Sequence, residues 1–135
     1  GLAVALIDLG ELDEAEAILV PLLDTRRRTL PADDQLIAMT ARNLGLVALR
    51  RGQLDRALVL LREAAEIHRT AAVESLDTAA IAYELGEVHA RLQQRDEAIA
   101  QHRRALALRR ALLGENHAET LASLVVLRSL GIANP

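Results

Sequence analysis

Asn-Leu-Gly-Leu-Val-Ala-Leu-Arg-Arg-Gly-Gln-Leu-Asp-Arg-Ala, at residues 43–57, is the stretch that decides the fold of this 135-residue chain. Its second part, GQLDRA at residues 52–57, resembles GELDEA at residues 10–15, which lie 42 positions earlier. It also resembles QQRDEA at residues 93–98, which lie 41 positions later. Self-similarity at a fixed period indicates a repeat architecture. The sequence therefore predicts structural repeats of 41 to 42 residues.

Two small residues recur within this period at the same spacing. Gly45 precedes Ala57 by twelve residues, and Gly86 precedes Ala98 by twelve residues. A small side chain is needed wherever two helix backbones approach closely, because a larger one would push them apart. We therefore expect these four residues to be structural positions at which paired helices touch.

Each repeat is predicted to consist of two helices. Between residues 33 and 50 the apolar side chains recur at helical intervals, and a second helical pattern begins at Asp55. Arg51-Gly52 separates them, as a helix stop followed by the start of the next helix. A loop this short makes the two helices antiparallel. The same reading predicts further helices, at residues 75–91, 96–113 and 116–130, and interprets residues 1–9 as the rest of a helix cut by a fragment boundary.

The composition predicts an all-α fold and excludes several classes of function. Half of the residues (51%) are hydrophobic but the only aromatic residue of the Phe, Trp and Tyr group is one tyrosine, so Ala, Leu, Val and Ile must form the core. The 16 basic residues, all arginine, nearly balance 19 acidic ones, which argues against nucleic-acid binding. The chain contains no cysteine, which excludes disulfides and suits a cytoplasmic setting. Charged residues interrupt every apolar run, so no membrane association is expected. The absence of lysine suggests a GC-rich bacterial origin.

The repeat resembles the tetratricopeptide repeat family, on the evidence of Asn43-Leu44-Gly45, the GQLDRA stretch and its later copies. The long period and the linker LGENHAET at residues 113–120 resemble the kinesin-light-chain-like subgroup with 42-residue repeats. The resemblance implies a right-handed α-α superhelix of about seven helices. It divides this single domain into a truncated repeat (1–30), two full repeats (31–72 and 73–114) and a partial or capping repeat (115–135).

The resemblance also implies that the first helices of successive repeats line a concave peptide-binding groove. The groove residues carried over from the family are Met39, Arg42, Leu46, Leu49, Arg50, Tyr83, Glu87, Arg91 and Val125, with Val4, Ile7, Ala80, Ala90 and Ser129 as further candidates. Because the set combines apolar side chains with arginines, which bind carboxylates, we expect a protein or peptide partner with a leucine-like and an acidic element.

No catalytic constellation is present, so the chain is not expected to be an enzyme, and neither a cofactor nor a metal is expected. His89 and His102 replace aromatic residues of the family pattern and are expected to face each other as neutral packing residues; the alternative is a pH-sensitive or metal-binding pair. His68 and His117 are expected at solvent-facing helix ends, and residues 26–28 as a solvated basic last turn.

The resulting prediction is a protein–protein interaction module that serves as the scaffold or sensor part of a larger bacterial protein. Two alternatives stay open. One is a regulatory domain that binds a small effector or a signal peptide and switches an attached enzyme or transcription factor. The other is self-association through the open ends of the solenoid, which would make the chain a homo-oligomer.

Overall fold

The computed structural model describes all residues from 1 to 135 and contains seven α-helices and no β-strand. The helices are α1 (Leu2–Asp8), α2 (Leu12–Thr29), α3 (Gln35–Arg50), α4 (Leu54–Thr70), α5 (Leu76–Arg91), α6 (Arg95–Leu113) and α7 (Ala118–Ser129). The predicted all-α class and helix count are confirmed. Helix α2 continues through Pro21, which has no N–H to donate to the preceding turn.

The chain forms two compact units, residues 1–72 and residues 73–135. In the first unit α3 packs along both α2 and α4, while α1 contacts α2 and α3. In the second unit α6 packs between α5 and α7. The cores consist of Ala, Leu, Ile and Val side chains, as the composition requires. The division of the chain into repeats remains a prediction.

Side-chain caps fix the starts of three helices. The Asp34 carboxylate accepts the Leu36 N–H at 2.8 Å before α3. Ser75 and Thr78 exchange backbone-to-side-chain hydrogen bonds in a capping box before α5. His117 Nδ1 accepts the Glu119 N–H at 3.1 Å before α7. Each cap satisfies a donor that the first helical turn leaves unpaired, so the helices begin where these residue types stand.

Three helix pairs are joined by tight turns of one kind, in which the residue after the C-cap has a positive φ. Gly10 (+79°) follows α1, Gly52 (+74°) follows α3 and Gln93 (+61°) follows α5. In each turn the N–H of the residue after the positive-φ residue donates to a carbonyl in the last turn of the preceding helix. The Gln53 N–H, for example, donates to the Ala48 carbonyl at 2.9 Å. This hydrogen-bond pattern is a Schellman motif, which favours glycine because other L-residues are strained there.

The paired helices approach closely at the predicted glycines. A Cβ built on Gly45 would lie 3.0 Å from Leu61 Cγ, and one built on Gly86 would lie 2.8 Å from His102 Cε1. Ala57 and Ala98 are fully buried. In α3 and α4 the closest neighbours of Gly45 are Leu61 and the Leu60 Cβ, one turn beyond Ala57. The small residues therefore make room for large side chains of the partner helix.

Gln93→Gly should stabilise the fold, because it removes a left-handed conformation from a residue with a Cβ. The left-handed conformation costs an L-residue about 1–2 kcal/mol. The extra conformational freedom of glycine in the unfolded chain offsets part of the stabilisation that removing this cost provides. We expect the free energy of unfolding in urea to rise by about 0.5–1 kcal/mol. Gly52→Gln is the converse control and should lower it; equal effects of both changes would contradict this account of the turns.

Gly86→Ala should destabilise the chain, although alanine is the better helix former by about 1 kcal/mol. The added methyl would overlap the ring of His102, which is buried and cannot move aside without displacing its neighbours. Overpacking of this kind typically costs about 1–3 kcal/mol. The cost should largely disappear when Gly86→Ala is made in a His102→Ala background, as measured by a double-mutant cycle of urea unfolding. An additive pair would show that the ring is not the obstacle.

Candidate functional site

Four side chains lie along one face of α3 at intervals of three and four residues. Met39 is 48% exposed, Arg42 and Leu46 are half-buried, and Arg50 is exposed. The Arg50 guanidinium donates to the Ile7 carbonyl at the end of α1. We call these four residues the α3 face. Leu49 does not belong to it, because its side chain is only 2% exposed and offers no surface to a partner.

A corresponding face of α5 carries residues 41 positions further on. The members of this α5 face are Ala80, Tyr83, Glu87 and Arg91. The first three are half-buried and Arg91 is exposed; its guanidinium lies 4.0 Å from the Glu87 carboxylate. Ala90 is exposed as well, and in α7 Val125 is 64% exposed and Ser129 exposed. Of the candidates in α1, Val4 is exposed and Ile7 is buried.

Tyr83 is the centre of a cluster that the sequence analysis did not find. Its ring meets the His102 ring edge-to-face, with centroids 4.8 Å apart, and the Arg109 guanidinium carbon lies 4.7 Å from its centroid. Burial raises the pKa of Tyr83, the Glu87 carboxylate adds to the rise, and the Arg109 cation opposes it. The cluster joins α5 to α6. It places the Arg109 cation against the ring of Tyr83, a member of the α5 face.

Arg109 also connects α6 to α7. Its Nη1 donates to Ser123 Oγ at 2.9 Å and to the Glu119 carbonyl at 3.2 Å. Arg26 does the same between α2 and α3: its Nη1 donates to Thr40 Oγ1 at 2.6 Å and to the Leu36 carbonyl at 3.3 Å.

The spacing is 83 residues, or two repeats, between Arg26 and Arg109, between Leu36 and Glu119, and between Thr40 and Ser123. The sequence could therefore have predicted both hydrogen-bonded contacts. In each, an arginine is followed fourteen residues later by serine or threonine, at the same position of the repeat. Residues 26–28 do form the last turn of α2, but Arg26 is half-buried, and Arg27 pairs with Glu63 of α4, so this turn is not simply solvated.

The two histidines of the α5–α6 pair have different partners. His89 Nδ1 lies 2.7 Å from Gln94 Oε1, whereas both ring nitrogens of His102 are buried without a hydrogen bond. Burial, with a further contribution from the Arg109 cation, lowers the pKa of His102 to about 4. Both histidines are buried, in agreement with packing roles. His68 is also buried, contrary to the expectation of a solvent-facing residue, while His117 is exposed at a helix start.

A separate cleft of about 330 Å³ opens between α2, α3 and α4 of the first unit. Leu23, Leu44 and Leu60 contribute apolar walls, and Val20 and Val59 lie at its exposed edge. The ion pairs of Arg27 with Glu63 and of Arg56 with Glu16 adjoin it.

No group of three or more His, Asp or Glu side chains is arranged to hold a metal ion. No helix has the length and apolar character needed to cross a membrane.

A sequence model of the tetratricopeptide repeat family matches residues 1–70 and 77–127, which is most of the chain. The chain belongs to the tetratricopeptide repeat family. No curated protein sequence matches it significantly. In this chain Gly45 and Gly86 leave room for side chains of the paired helix.

Solved structures, including one of a kinesin light chain, share the fold of this tetratricopeptide repeat chain. A kinesin light chain of Podosopora anserina with nearly identical TPR-like repeats aligns with a TM-score of 0.84 at 22% identity, over 96% of this chain and 62% of that one. BtubC (BKLC) from P. vanneervenii aligns with a TM-score of 0.80 at 24% identity, over 98% of this chain and 54% of that one. The chain thus spans about half to three fifths of the structures it matches. The prediction of a kinesin-light-chain-like repeat fold is confirmed.

His102 should make the stability of this tetratricopeptide array depend on pH. Its folded-state pKa lies below the ordinary value of 6.5, so between pH 6.5 and about 4 the unfolded chain binds a proton that the folded chain does not. Stability is therefore complete above pH 6.5 and falls as the pH drops, by up to about 1.4 kcal/mol per pH unit. Urea unfolding at pH 7, 6 and 5 measures this slope.

His102→Leu should reduce that slope, because it removes the group that titrates. Identical slopes in the natural chain and in His102→Leu would assign the acid sensitivity to other groups.

Proposed function

We propose that this chain binds a protein partner, with the α3 face of the first unit and the α5 face of the second unit each serving by itself as a contact surface. Tetratricopeptide repeats mediate protein–protein interactions, and this chain belongs to the family. The observation that carries the proposal is that both faces leave side chains accessible at the same phase of the repeat. On α3 these include Met39, which is nearly half exposed, and on α5 they include the half-buried Tyr83.

The chemistry of each face, taken by itself, favours a partner with an apolar and an acidic element. Met39 and Leu46 supply apolar contact area on α3. On α5, Tyr83 combines an apolar ring with a hydroxyl, and tyrosine is enriched among residues that dominate binding energy. Arginines on both faces suit an acidic element, although Arg50 already donates to the Ile7 carbonyl and Arg91 lies beside Glu87. The segment is extended or helical, and it belongs to another protein.

The chain acts in this proposal as the scaffold or sensor part of a larger cytoplasmic bacterial protein. Its fold spans only part of the kinesin light chain structures that it resembles, 62% and 54% of the two aligned chains. Neither face holds a set of side chains arranged for catalysis. On the α5 face the acid Glu87 lies beside Arg91, and Tyr83 is half-buried. Binding, and not turnover, is the activity that these residues support.

Peptides selected from a randomised library on the natural chain would test this function. Met39→Glu and Leu46→Glu place a charge on the α3 face, where an apolar contact is proposed. We expect each to weaken the selected peptides by about tenfold or more, which corresponds to 1.4 kcal/mol. Affinities would be measured by calorimetry, with helix content checked by circular dichroism.

Val59→Glu is the matched control for this experiment, because Val59 is exposed on α4 beside the cleft of the first unit. It should leave the affinity unchanged. Loss of binding in Val59→Glu together with full binding in both α3 variants would move the partner to that cleft and refute the proposed faces.

A further inference from the structure

The cleft of the first unit is bounded by an ion pair at each end. Arg56 of α4 pairs with Glu16 of α2, and Arg27 of α2 pairs with Glu63 of α4. The apolar lining residues of each helix lie between its two paired residues, and Leu44 of α3 lies beneath them. Arg56 and Glu63 are seven residues apart, which corresponds to about 10 Å along a helix axis. The cleft is therefore short, with its open side toward solvent between α2 and α4.

The outer edge of the cleft is apolar although it is exposed. Val20 is 43% exposed and Val59 is 66% exposed. In the later repeats Arg62 and Arg103 occupy the position of Val20, and Ala100 occupies that of Val59. Arginine and alanine are better helix formers than valine, whose branched side chain loses freedom in a helix. Helix stability therefore does not explain why both edge positions of this cleft hold valine.

The charged side chains around the cleft have their counter-ions within the chain. Besides Arg27 and Arg56, the charged lining residue is Asp24, which pairs with Arg28 at 3.1 Å. Counted with these partners, the cleft carries as many negative as positive charges. An ion that entered it would give up hydration without meeting an unpaired counter-charge. The lining therefore favours an uncharged ligand.

The dimensions of the cleft limit the size of such a ligand. Its volume is about 330 Å³. An apolar cavity of about 150 Å³ holds benzene, and ligand pockets begin at about 300 Å³. A body of about six to eight carbon atoms fits this volume and also the distance of about 10 Å between the two ion pairs.

We propose that this cleft binds a small uncharged apolar molecule of about six to eight carbon atoms. The molecule lies on Leu44 between Leu23 and Leu60, and the two edge valines flank its exposed side. A small molecule is favoured over a protein segment, because the ion pairs bound both ends of the cleft. The cleft uses Leu44 and not the members of the α3 face, so binding here goes beyond the proposed protein binding and is independent of it.

1-Hexanol is a probe of this size and polarity, and the methyl resonances of a 13C-valine-labelled chain at pH 7 would report its binding. We expect saturable shifts at Val20 and Val59 with a dissociation constant of about 1 mM. Val125 is 64% exposed in the second unit and should not shift. The more polar 1,2,6-hexanetriol has the same carbon chain and should bind about tenfold more weakly. Hexanoate and hexylammonium should bind no more tightly than 1-hexanol.

Two variants give the edge positions the residues of the later repeats. Val20→Arg should weaken 1-hexanol about tenfold, with Val59 as the remaining reporter. Val59→Ala removes part of the apolar edge and should weaken it about threefold, with Val20 as the reporter. Leu112→Arg is the matched control, because it places the same charge at a 49% exposed residue of α6, and it should leave the affinity unchanged. Circular dichroism would confirm that each variant is folded.

The absence of saturable shifts at Val20 and Val59, or shifts of equal size at Val125, would overturn the proposed site. Equal losses of affinity in Val20→Arg and Leu112→Arg would overturn it as well. Binding of either ion about tenfold more tightly than 1-hexanol would refute the uncharged ligand. Val20→Arg should leave the peptide affinities of the α3 face unchanged, so this proposal and the proposed protein binding fail separately.

Discussion

The structure depends on how closely two helices of a pair can approach. At Gly86 the missing side chain leaves room for the His102 ring, and at Gly45 for Leu61. A chain with almost no aromatic residues must fill its core with Ala, Leu, Ile and Val, so the helix axes have to lie near one another for these side chains to meet. The glycines permit that approach, and the rest of each unit is arranged around the resulting pairs.

Polar contacts supplement this apolar packing between consecutive repeats within a unit. An arginine near the end of a second helix donates to the backbone and to a hydroxyl of the next first helix, as Arg26 does to α3 and Arg109 to α7. The corresponding positions of the intervening repeat hold His68 and Ile81, so this combination of residue types occurs at two of three places. A guanidinium reaches two acceptors at once, which fixes both the distance and the register of the helices it joins.

Arg109 shows how one side chain can make several contacts at once. Its Nη1 donates to Ser123 of α7, and its guanidinium stacks on the Tyr83 ring of α5. The arginines that the family pattern indicated on α3 and α5 are engaged as well, because Arg50 donates to the Ile7 carbonyl of α1 and Arg91 lies beside Glu87. Arginine side chains therefore contribute to the packing within each unit.

The sequence by itself determined the repeat period, the helices to within about two residues and the small residues at the helix contacts, because all of these follow from local periodicity and turn chemistry. Gln93 shows the limit of such rules: the turn kept its shape although glycine was replaced. Only the tertiary structure decided that Leu49 is buried, that His68 is buried and that His102 stands unpaired beside Gly86. It alone brought Arg109 over Tyr83, 26 residues away in the sequence. Periodicity tells which face of a helix a residue occupies, but the partner of a polar group depends on side-chain geometry across helices, which no local pattern encodes.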